Sequence, residues 1–206
     1  MRLYWHPFSL FPRRVRVALR EKDIACEELE VDLPGGATRA AAFRRLNPFG
    51  QVPVLEDDGV VIYESLAILE YLEERHPRPA LLPGDAAARA HCRQLMLASG
   101  DYLAQPLKRW LPRLFAPEAS WDRADQDRAV GEIGDHLDVL EAALYGREYL
   151  VGGFSFADVA YVPLVCELDA CQLGHLLAPR PGVRAWVERL RARPSVRATS
   201  PTPPAD

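Results

Sequence analysis

The stretch that decides the fold is NPFGQVPVLEDDGVVIYESLAILEYLEER, residues 47–75. Two apolar runs flank the dipeptide Asp58-Gly59, and Asp-Gly is a preferred two-residue turn between antiparallel strands. From about residue 64 to residue 75, apolar side chains recur at the spacing of one helix face. The stretch therefore predicts a strand, a tight turn, a second strand and a helix.

The residues before this stretch predict two further strands and two helices. Residues 2–5 (RLYW) and 24–32 have strand character. Pro12 suits the first turn of a helix, where its missing N–H costs nothing. After the break at Gly35-Gly36, residues 38–48 predict a short helix that ends near Asn47-Pro48. Residues 1–76 thus predict an α/β domain with the order β-α-β-α-β-β-α.

The composition changes after residue 76. Residues 77–85, in the proline-rich segment HPRPALLPGD, predict a linker between two domains. Residues 86–206 contain no convincing strand and predict an all-α C-terminal domain. Its helices are expected at residues 86–115, 122–145, 155–170 and 182–193, and its tail from residue 195 onward is expected to be loose.

Ser155-x-x-Asp158 in this second half matches a variant of the capping box that starts helices. Phe154 and Val159 flank it at the positions of a hydrophobic staple. We expect a structural role for this motif, because loss of a serine cap costs roughly 1 kcal/mol of stability.

The overall composition excludes several classes of function. The 206 residues include 25 basic and 29 acidic side chains, a net charge of −4 that argues against nucleic-acid binding by bulk positive charge. No apolar run approaches the ~18 residues of a membrane span, and the N-terminus lacks the apolar core of a signal peptide, so we expect a cytoplasmic protein. The four cysteines form no C-x-x-C pair and suggest no metal site. The excess of arginine over lysine suggests a bacterial source.

Ser9, in the stretch HPFSLFPRRVRVAL (residues 6–19), stands between a predicted strand and a predicted helix. It is a candidate helix cap, nucleophile or hydrogen-bond donor. A serine hydrolase would need a base and an orienting acid, and no G-x-S-x-G elbow is present. His6 is expected to be a packing or loop residue, and a nucleophilic role for Ser9 is disfavoured.

Two dipeptides in the deciding stretch suggest a peptide ligand. Pro53 cannot donate to a ladder, so it leaves the neighbouring Val52 free to pair with a bound peptide. Ser65 at a helix start adds a hydroxyl to the free amides there, which suits a carboxylate, and Glu64 suits an ammonium group. Taken alone, each feature is better explained as an ordinary turn proline or a plain helix cap. The combination of the two is the specific signal.

The motifs LYWHPFS…RRVRVAL, NPFGQVPVLEDDG and YESLAILEYL, with the helical second half, resemble cytosolic glutathione transferases over nearly the whole chain. The resemblance is to serine-type members, particularly the phi-like plant and bacterial groups. It implies a thioredoxin-like domain that binds glutathione as co-substrate, with a cis proline in QVP. It further implies a helical domain with the pocket for a small electrophile, a homodimer, a role in detoxification and no metal.

The resemblance also implies roles for individual residues. Ser9 falls at the position of the catalytic serine. Glutathione contacts are implied for Arg39, Gln51, Val52, Pro53, Glu64 and Ser65. Candidate walls of the electrophile pocket are Leu10, Phe11, Tyr102 and Trp110.

The chemistry expected of Ser9 is donation of a hydrogen bond to the glutathione sulfur. Lowering a thiol pKa from about 8.5 by about two units takes roughly 2.7 kcal/mol, and one hydrogen bond to a charged group supplies about 1.5–3 kcal/mol. Serine cannot form a mixed disulfide, so conjugation or isomerisation is favoured over thiol transfer. A glutathione-dependent isomerase, dehalogenase or ether-cleaving enzyme, and a non-catalytic binding or regulatory protein, remain alternatives.

Overall fold

The computed structural model describes residues 1–114 and 122–201, which form two compact units. The first unit comprises Met1–Leu81 together with the segment from Arg193 onward, and the second comprises Leu82–Ala192. Residue 115, at the end of a predicted helix, and residues 202–206, in the predicted loose tail, lie outside the described residues.

The first unit contains a four-stranded mixed sheet. Its strands are β1 (Arg2–Trp5), β2 (Glu27–Glu30), β3 (Val54–Asp57) and β4 (Val60–Tyr63), in the order β2-β1-β3-β4. β1 pairs with β2 in parallel and with β3 antiparallel, and β3 pairs with β4 antiparallel. A parallel pair needs a long crossover, which the first helix of the chain supplies.

The hairpin between β3 and β4 turns at Asp58 and Gly59, as the sequence predicts. Both residues have positive φ, 46° and 83°. Positive φ at both central positions defines the type I′ turn, whose twist matches that of the flanking strands.

Among its described residues, the first unit also contains five helical elements. They are α1 (Leu10–Glu21), a 3₁₀ turn (Ala37–Arg39), α2 (Ala41–Arg44), α3 (Ser65–Arg75) and α9 (Pro194–Arg197). The single helix predicted at residues 38–48 is wrong, because Ala40 has extended backbone (φ −62°, ψ 142°) and divides it. The predicted strand at residues 24–32 is shorter than expected, since only four of its residues pair with β1.

The core of the first unit follows from the helical spacing of apolar residues. Val15 and Leu19 of α1 and Ile68 and Leu72 of α3 are completely buried. Burial of each such side chain stabilises the fold by roughly 1.5–3 kcal/mol. These contacts hold α1, and hence its N-terminus at residue 9, in a fixed place.

A buried ion pair fixes the chain just after α3. Lys22 Nζ lies 2.6 Å from a carboxylate oxygen of Glu73, and both side chains are buried. Lys22 Nζ also donates to the carbonyl oxygens of His76 and Pro79, and Glu73 accepts from the amide of Leu81. Residue 76 and the first part of the predicted linker, residues 77–81, are therefore bound to the first unit.

The C-terminal segment also belongs to the first unit, which corrects two expectations. Arg193 and Ser195 donate to the carboxylate of Glu21 at the end of α1, and Arg13 donates to the carbonyl of Val196. The predicted loose tail is thus wrong for residues 195–201. The helical domain predicted to run to residue 206 ends at Ala192, because these polar contacts join distant parts of the sequence.

The second unit is helical. Its elements are α4 (Ala86–Ala98), a π-helical turn (Ser99–Ala104), α5 (Gln105–Trp110), a 3₁₀ turn (Leu111–Leu114), α6 (Arg123–Ala143), α7 (Phe156–Val165), a 3₁₀ turn (Gly174–Leu177) and α8 (Pro181–Ala192). The helix predicted over residues 86–115 is interrupted by the π-helical turn. The helix predicted over residues 155–170 ends five residues early. No helix among the described residues is long and apolar enough to cross a membrane.

The capping box of α7 is confirmed as a structural feature. The buried Asp158 carboxylate accepts from the amide of Ser155 at 2.9 Å, from the Ser155 hydroxyl at 3.0 Å, from the amide of Leu150 at 3.1 Å and from Trp186 Nε1 at 2.9 Å. Burial raises the pKa of Asp158, and these hydrogen bonds act in the opposite direction. The box therefore ties the start of α7 to α8.

Candidate functional site

Ser9 occupies the N-cap position of α1, but its side chain does not cap the helix. Its backbone is extended (φ −92°, ψ 123°), and the side chain makes no capping hydrogen bond. The residue is half-buried, and the first turn of α1 contains no acidic side chain. A hydroxyl left free at a helix N-terminus, where the helix dipole favours negative charge, suits the stabilisation of an anion.

His6 shapes the loop that presents Ser9. Its side chain is buried, and its Nδ1 accepts a hydrogen bond of 3.2 Å from the amide of Phe8. The amide of Ser9 donates to the carbonyl oxygen of His6 at 3.0 Å. The prediction that His6 is a loop and packing residue is confirmed.

The loop before β3 carries Gln51, Val52 and Pro53. The Val52–Pro53 peptide is cis, as the resemblance implies. Among residues 1–114 and 122–201, no hydrogen bond involves the backbone amide or carbonyl of Val52. These groups are available to pair with an extended peptide in the manner of an added strand.

Asn47 holds this loop, a role that the sequence analysis missed. Its side chain is 1% exposed. Its Nδ2 donates to the carbonyl of Gln51 at 2.8 Å, and its Oδ1 accepts from the amide of Phe49 at 3.0 Å. A buried amide that satisfies two backbone groups fixes the loop conformation. The asparagine before Pro48 was the available signal.

Glu64 and Ser65 lie at the start of α3. Glu64 has φ 70° and ψ 114° and provides no side-chain cap to the helix. Such backbone costs of order 1–3 kcal/mol and is concentrated at binding sites. Glu64 is exposed and Ser65 is buried. No side chain caps the first backbone amides of α3. These amides and the hydroxyl of Ser65 therefore suit an incoming carboxylate.

Arg14 is a second residue that the sequence analysis did not assign. It lies on α1, five positions after Ser9, and only 2% of it is exposed. Its Nη1 lies 3.4 Å from Ser65 Oγ. The start of α3 and the N-terminal half of α1 are therefore in direct contact. The sequence signal was the pair Arg13-Arg14 inside an apolar helix.

Arg39 is exposed at the end of the 3₁₀ turn, close to the loop of Gln51. A side chain at Gly50, whose φ is 62°, would lie 2.9 Å from the carbonyl oxygen of Thr38. Only glycine allows this close approach of the two loops. The structure thus brings Arg39 into the neighbourhood of the loop that carries Gln51 and Val52.

Leu10 and Phe11 begin α1 and are half-buried. The guanidinium of Arg14 lies 4.7 Å from the centre of the Phe11 ring, so Phe11 packs against a buried side chain. Phe8, which the sequence analysis did not single out, is 63% exposed directly before Ser9. It is the more accessible aromatic surface beside the serine.

Tyr102 and Trp110 lie in different surroundings in the second unit. Trp110 is 5% exposed, and its Nε1 donates to the carbonyl of Cys171. It is a core residue, which argues against its predicted place in a pocket wall. Tyr102 is 65% exposed and stacks on His136 beside a cavity of about 630 Å³ between α4 and α6. Burial lowers the pKa of His136.

The described residues contain no group of three or more side chains arranged to hold a metal ion. None of the four cysteines forms a disulfide. Burial raises the pKa of Cys26 and of Cys171 to about 11, so neither is a thiolate at neutral pH.

Comparisons with known proteins match both halves of the chain to one family. Residues 3–80 match the N-terminal domain of glutathione S-transferases, and residues 103–194 match their C-terminal domain. The chain is 33% identical to glutathione S-transferase 3 of Zea mays over 99% of this chain and 96% of that protein. It is 35% identical to a probable maleylacetoacetate isomerase of Caenorhabditis elegans over 96% of this chain and 91% of that protein.

A solved structure of a glutathione transferase from Burkholderia graminis, with two glutathione molecules bound per subunit, is similar to the chain. Its TM-score is 0.89 at 28% identity, covering 100% of this chain and 89% of that one. The fold is a thioredoxin-like sheet unit plus a helical unit. The chain belongs to the glutathione S-transferase family.

Proposed function

We propose that the protein is a glutathione transferase in which Ser9 stabilises the thiolate of bound glutathione for attack on a small electrophile. The observation that carries the proposal is the Ser9 hydroxyl, which makes no capping bond at the N-terminus of α1. It is available as a donor to an anion that the chain itself does not contain.

The energy needed for this role is within reach of the groups present. One hydrogen bond to a charged sulfur supplies about 1.5–3 kcal/mol, and the N-terminus of α1 adds roughly 0.3–1 kcal/mol. Together they lower the thiol pKa by about 1.3 to 2.9 units. The thiolate then forms a carbon–sulfur bond with the electrophile, and the leaving group departs with the displaced electron pair.

Glutathione is expected to bind along the first unit as an extended peptide. The free backbone groups of Val52 support pairing with the cysteinyl residue, next to Gln51 and cis Pro53. Ser65 and the start of α3 suit the γ-glutamyl carboxylate, and Glu64 suits its ammonium group. Arg39 offers a guanidinium to the glycyl carboxylate.

The electrophile is expected beside Ser9. Leu10 and Phe11 remain predicted walls, and the exposed Phe8 is a further candidate. A role of Tyr102 in binding the electrophile also stays a prediction. The burial of Trp110 argues against such a role for that residue. A detoxification role, a cytoplasmic location and a bacterial source are proposals that rest on the resemblance and on composition.

An isomerase is a second candidate, because relatives named maleylacetoacetate isomerase are 35% and 32% identical over 96% and 98% of this chain. Thiolate addition to a double bond, rotation and elimination of the thiolate would use the same Ser9. The two activities are separated by assaying conjugation of a chloronitroarene and isomerisation of maleylacetoacetate with the same preparation. A preference for isomerisation by several orders of magnitude in kcat/KM would favour the second candidate.

We also propose a homodimer in which Phe49 of one copy enters the cavity of the other. Phe49 is 67% exposed and rests edge-on against Tyr63. The cavity between α4 and α6 is lined by Leu95, Ala98 and Val139, together with the charged side chains Asp101, Arg109, Glu132 and Asp135. Light scattering should show a dimer for the wild type and a monomer for Phe49→Ala; a wild-type monomer would refute the proposal.

Retention on immobilised glutathione and turnover of a chloronitroarene test the main proposal. We expect retention, elution by free glutathione and measurable conjugation. A folded protein that ignores the resin and shows no turnover would instead support the non-catalytic alternative.

A further inference from the structure

Two hydrogen bonds join the turn that presents Ser9 to one residue, His6. Residues 6–9 form a tight turn between β1 and α1, closed by the 3.0 Å bond from the amide of Ser9 to the carbonyl oxygen of His6. Pro7 occupies the second position of this turn, where its fixed φ is favourable. The side chain of His6 makes the second bond, since its Nδ1 accepts from the amide of Phe8 at 3.2 Å.

The side-chain bond of His6 depends on a single atom. An acceptor at the first position of a turn, bonded to the amide two residues later, is usually provided by asparagine or aspartate. The imidazole of His6 takes the same part, because Nδ1 is two bonds from Cβ, as is the Oδ1 of asparagine. A neutral imidazole has one acceptor and one donor nitrogen, so this bond places the ring proton on Nε2.

His6 is anchored, whereas the residues that it holds are more exposed. Its side chain is buried, and it directly follows β1, whose last residue, Trp5, accepts at its carbonyl from the amide of Val31. Phe8 is 63% exposed, and its ring contacts the His6 ring with the centroids 5.7 Å apart. Because most of Phe8 is exposed, packing contributes little to the turn. The bonds to His6 therefore couple the position of Ser9 to the sheet.

The direction of the Ser9 hydroxyl depends on this turn. Phe8 precedes Ser9 directly, so a rotation of the peptide between them moves Ser9 Oγ. A hydrogen bond weakens steeply as its angle departs from linearity. A donor that stabilises an anion is therefore effective only when it is held in place before the anion forms.

We propose that His6 is a positioning residue, whose Nδ1 holds the amide of Phe8 so that the Ser9 hydroxyl points at the sulfur of bound glutathione. In this role His6 acts through Ser9 and exchanges no proton with the thiol. The inference rests on the proposed function, since it takes Ser9 to be the donor to the thiolate.

The test uses the shapes of two amide side chains. His6→Asn places an oxygen at the position of Nδ1 and keeps the acceptor for the amide of Phe8. His6→Gln places its amide group at the position of Nε2 and lacks that acceptor, as does the apolar His6→Leu. The readouts are the thiolate absorbance of bound glutathione and kcat/KM for a chloronitroarene between pH 5.5 and 10.

We expect His6→Gln and His6→Leu to raise the pKa of bound glutathione by about one unit and to lower kcat/KM at pH 6.5 by about 5- to 10-fold. His6→Asn should stay within about threefold of the wild type. An unshifted thiol pKa in His6→Gln and His6→Leu, or an equal loss in His6→Asn, would overturn the inference.

A double-mutant cycle shows whether His6 acts through Ser9. In the Ser9→Ala background the hydroxyl is absent, so adding His6→Gln should change kcat/KM by less than about twofold. A further loss as large as in the wild-type background would overturn the inference and leave His6 a structural residue.

Asp85→Ala is the matched control. Asp85 Oδ1 accepts from the amide of Ala88 at 2.9 Å at the start of α4, so this variant loses the same kind of bond in the second unit. It should leave the thiol pKa and kcat/KM unchanged. A shift equal to that of His6→Gln would show a general effect of lost stability and would overturn the inference.

Nitrogen NMR of the wild type bound to glutathione tests the inference even if the His6 variants do not fold. Nδ1 of His6 should be the unprotonated ring nitrogen, and a proton on Nδ1 would overturn the inference. A wild type that binds no glutathione, or does not ionise its thiol, would refute the proposed function itself. A wild type that ionises glutathione while the His6 variants behave like it refutes only the role of His6.

Discussion

Replacement of Ser9 by alanine removes the hydroxyl and little else. Serine-to-alanine changes at helix caps usually cost about 0.5–2 kcal/mol because a capping hydrogen bond is lost. Ser9 makes no such bond with its side chain. We therefore expect the free energy of unfolding of Ser9→Ala to fall by less than about 0.5 kcal/mol.

The effect on catalysis should be much larger. Loss of a hydrogen bond worth about 1.5–3 kcal/mol to the thiolate raises the pKa of bound glutathione by about one to two units. At pH 6.5, where the bound thiol of the wild type is already partly or largely ionised, the conjugation rate should therefore fall about 10- to 50-fold. The sign is fixed, because the hydroxyl stabilises only the deprotonated form and its removal must move the inflection to higher pH.

The assay is kcat/KM for a chloronitroarene between pH 5.5 and 10, with the thiolate absorbance of bound glutathione recorded in parallel. Above the raised pKa the variant should approach the wild-type rate. Ser9→Thr, which keeps a hydroxyl, is the control and should retain most activity near neutral pH. A Ser9→Ala variant with an unshifted pH profile and wild-type turnover would refute the reasoning.

Three further predictions concern groups that hold the site. Lys22→Met leaves Glu73 buried without its cation and should lower the free energy of unfolding by about 3–5 kcal/mol in urea; a loss below 1 kcal/mol would show that the pair is dispensable. Asn47→Ala removes two hydrogen bonds from the loop before β3. We expect the free energy of unfolding to fall by about 1–3 kcal/mol and the KM for glutathione to rise at nearly constant kcat. An unchanged KM would show that the conformation of this loop does not affect glutathione binding. Burial alone raises the pKa of Glu21, but the hydrogen bonds from Arg193 and Ser195 outweigh it, and the pKa lies below the ordinary value of 4.5. The stabilisation by Glu21 is thus present above about pH 4.5 and is lost as the pH falls through the lower folded pKa; urea unfolding from pH 3 to 7 should show a smaller acid loss for Glu21→Gln, and identical slopes would contradict this.

Much of the fold was accessible from the sequence because its signals are local. The Asp58-Gly59 turn lies between two apolar runs, and Asp-Gly is one of the few dipeptides that readily adopt the positive φ found at both positions. Pro12 marks the first turn of α1 in the same way. Strands β1, β3 and β4 were likewise predictable from residues that are adjacent in the sequence.

The remaining features depend on contacts between distant residues. Arg193 and Glu21 are 172 positions apart, and nothing near residue 195 indicates that the tail packs on α1. The π-helical turn at Ser99–Ala104 lies within an apparently continuous helical pattern, and its buried residues are Ser99, Leu103 and Ala104.

The residues of the candidate site also fall into two groups, those that a local motif identifies and those that only contacts between distant residues reveal. Ser9, Val52 and Ser65 were named from motifs, whereas the contact of Arg14 with Ser65 joins residues 51 positions apart. The buried Trp110 likewise donates to the carbonyl of Cys171, 61 positions away, which sequence periodicity does not reveal.

The attachment of residues 193–201 to α1 has a consequence for synthesis on the ribosome. The sheet and its helices are encoded almost entirely by the first 81 residues, yet the last piece of that unit is translated only after the whole helical insertion. The hydrogen bonds from Arg193 to the carboxylate of Glu21 can therefore form only after Arg193 has emerged from the exit tunnel. The support of the serine-bearing helix is therefore completed only after the helical unit has been synthesised.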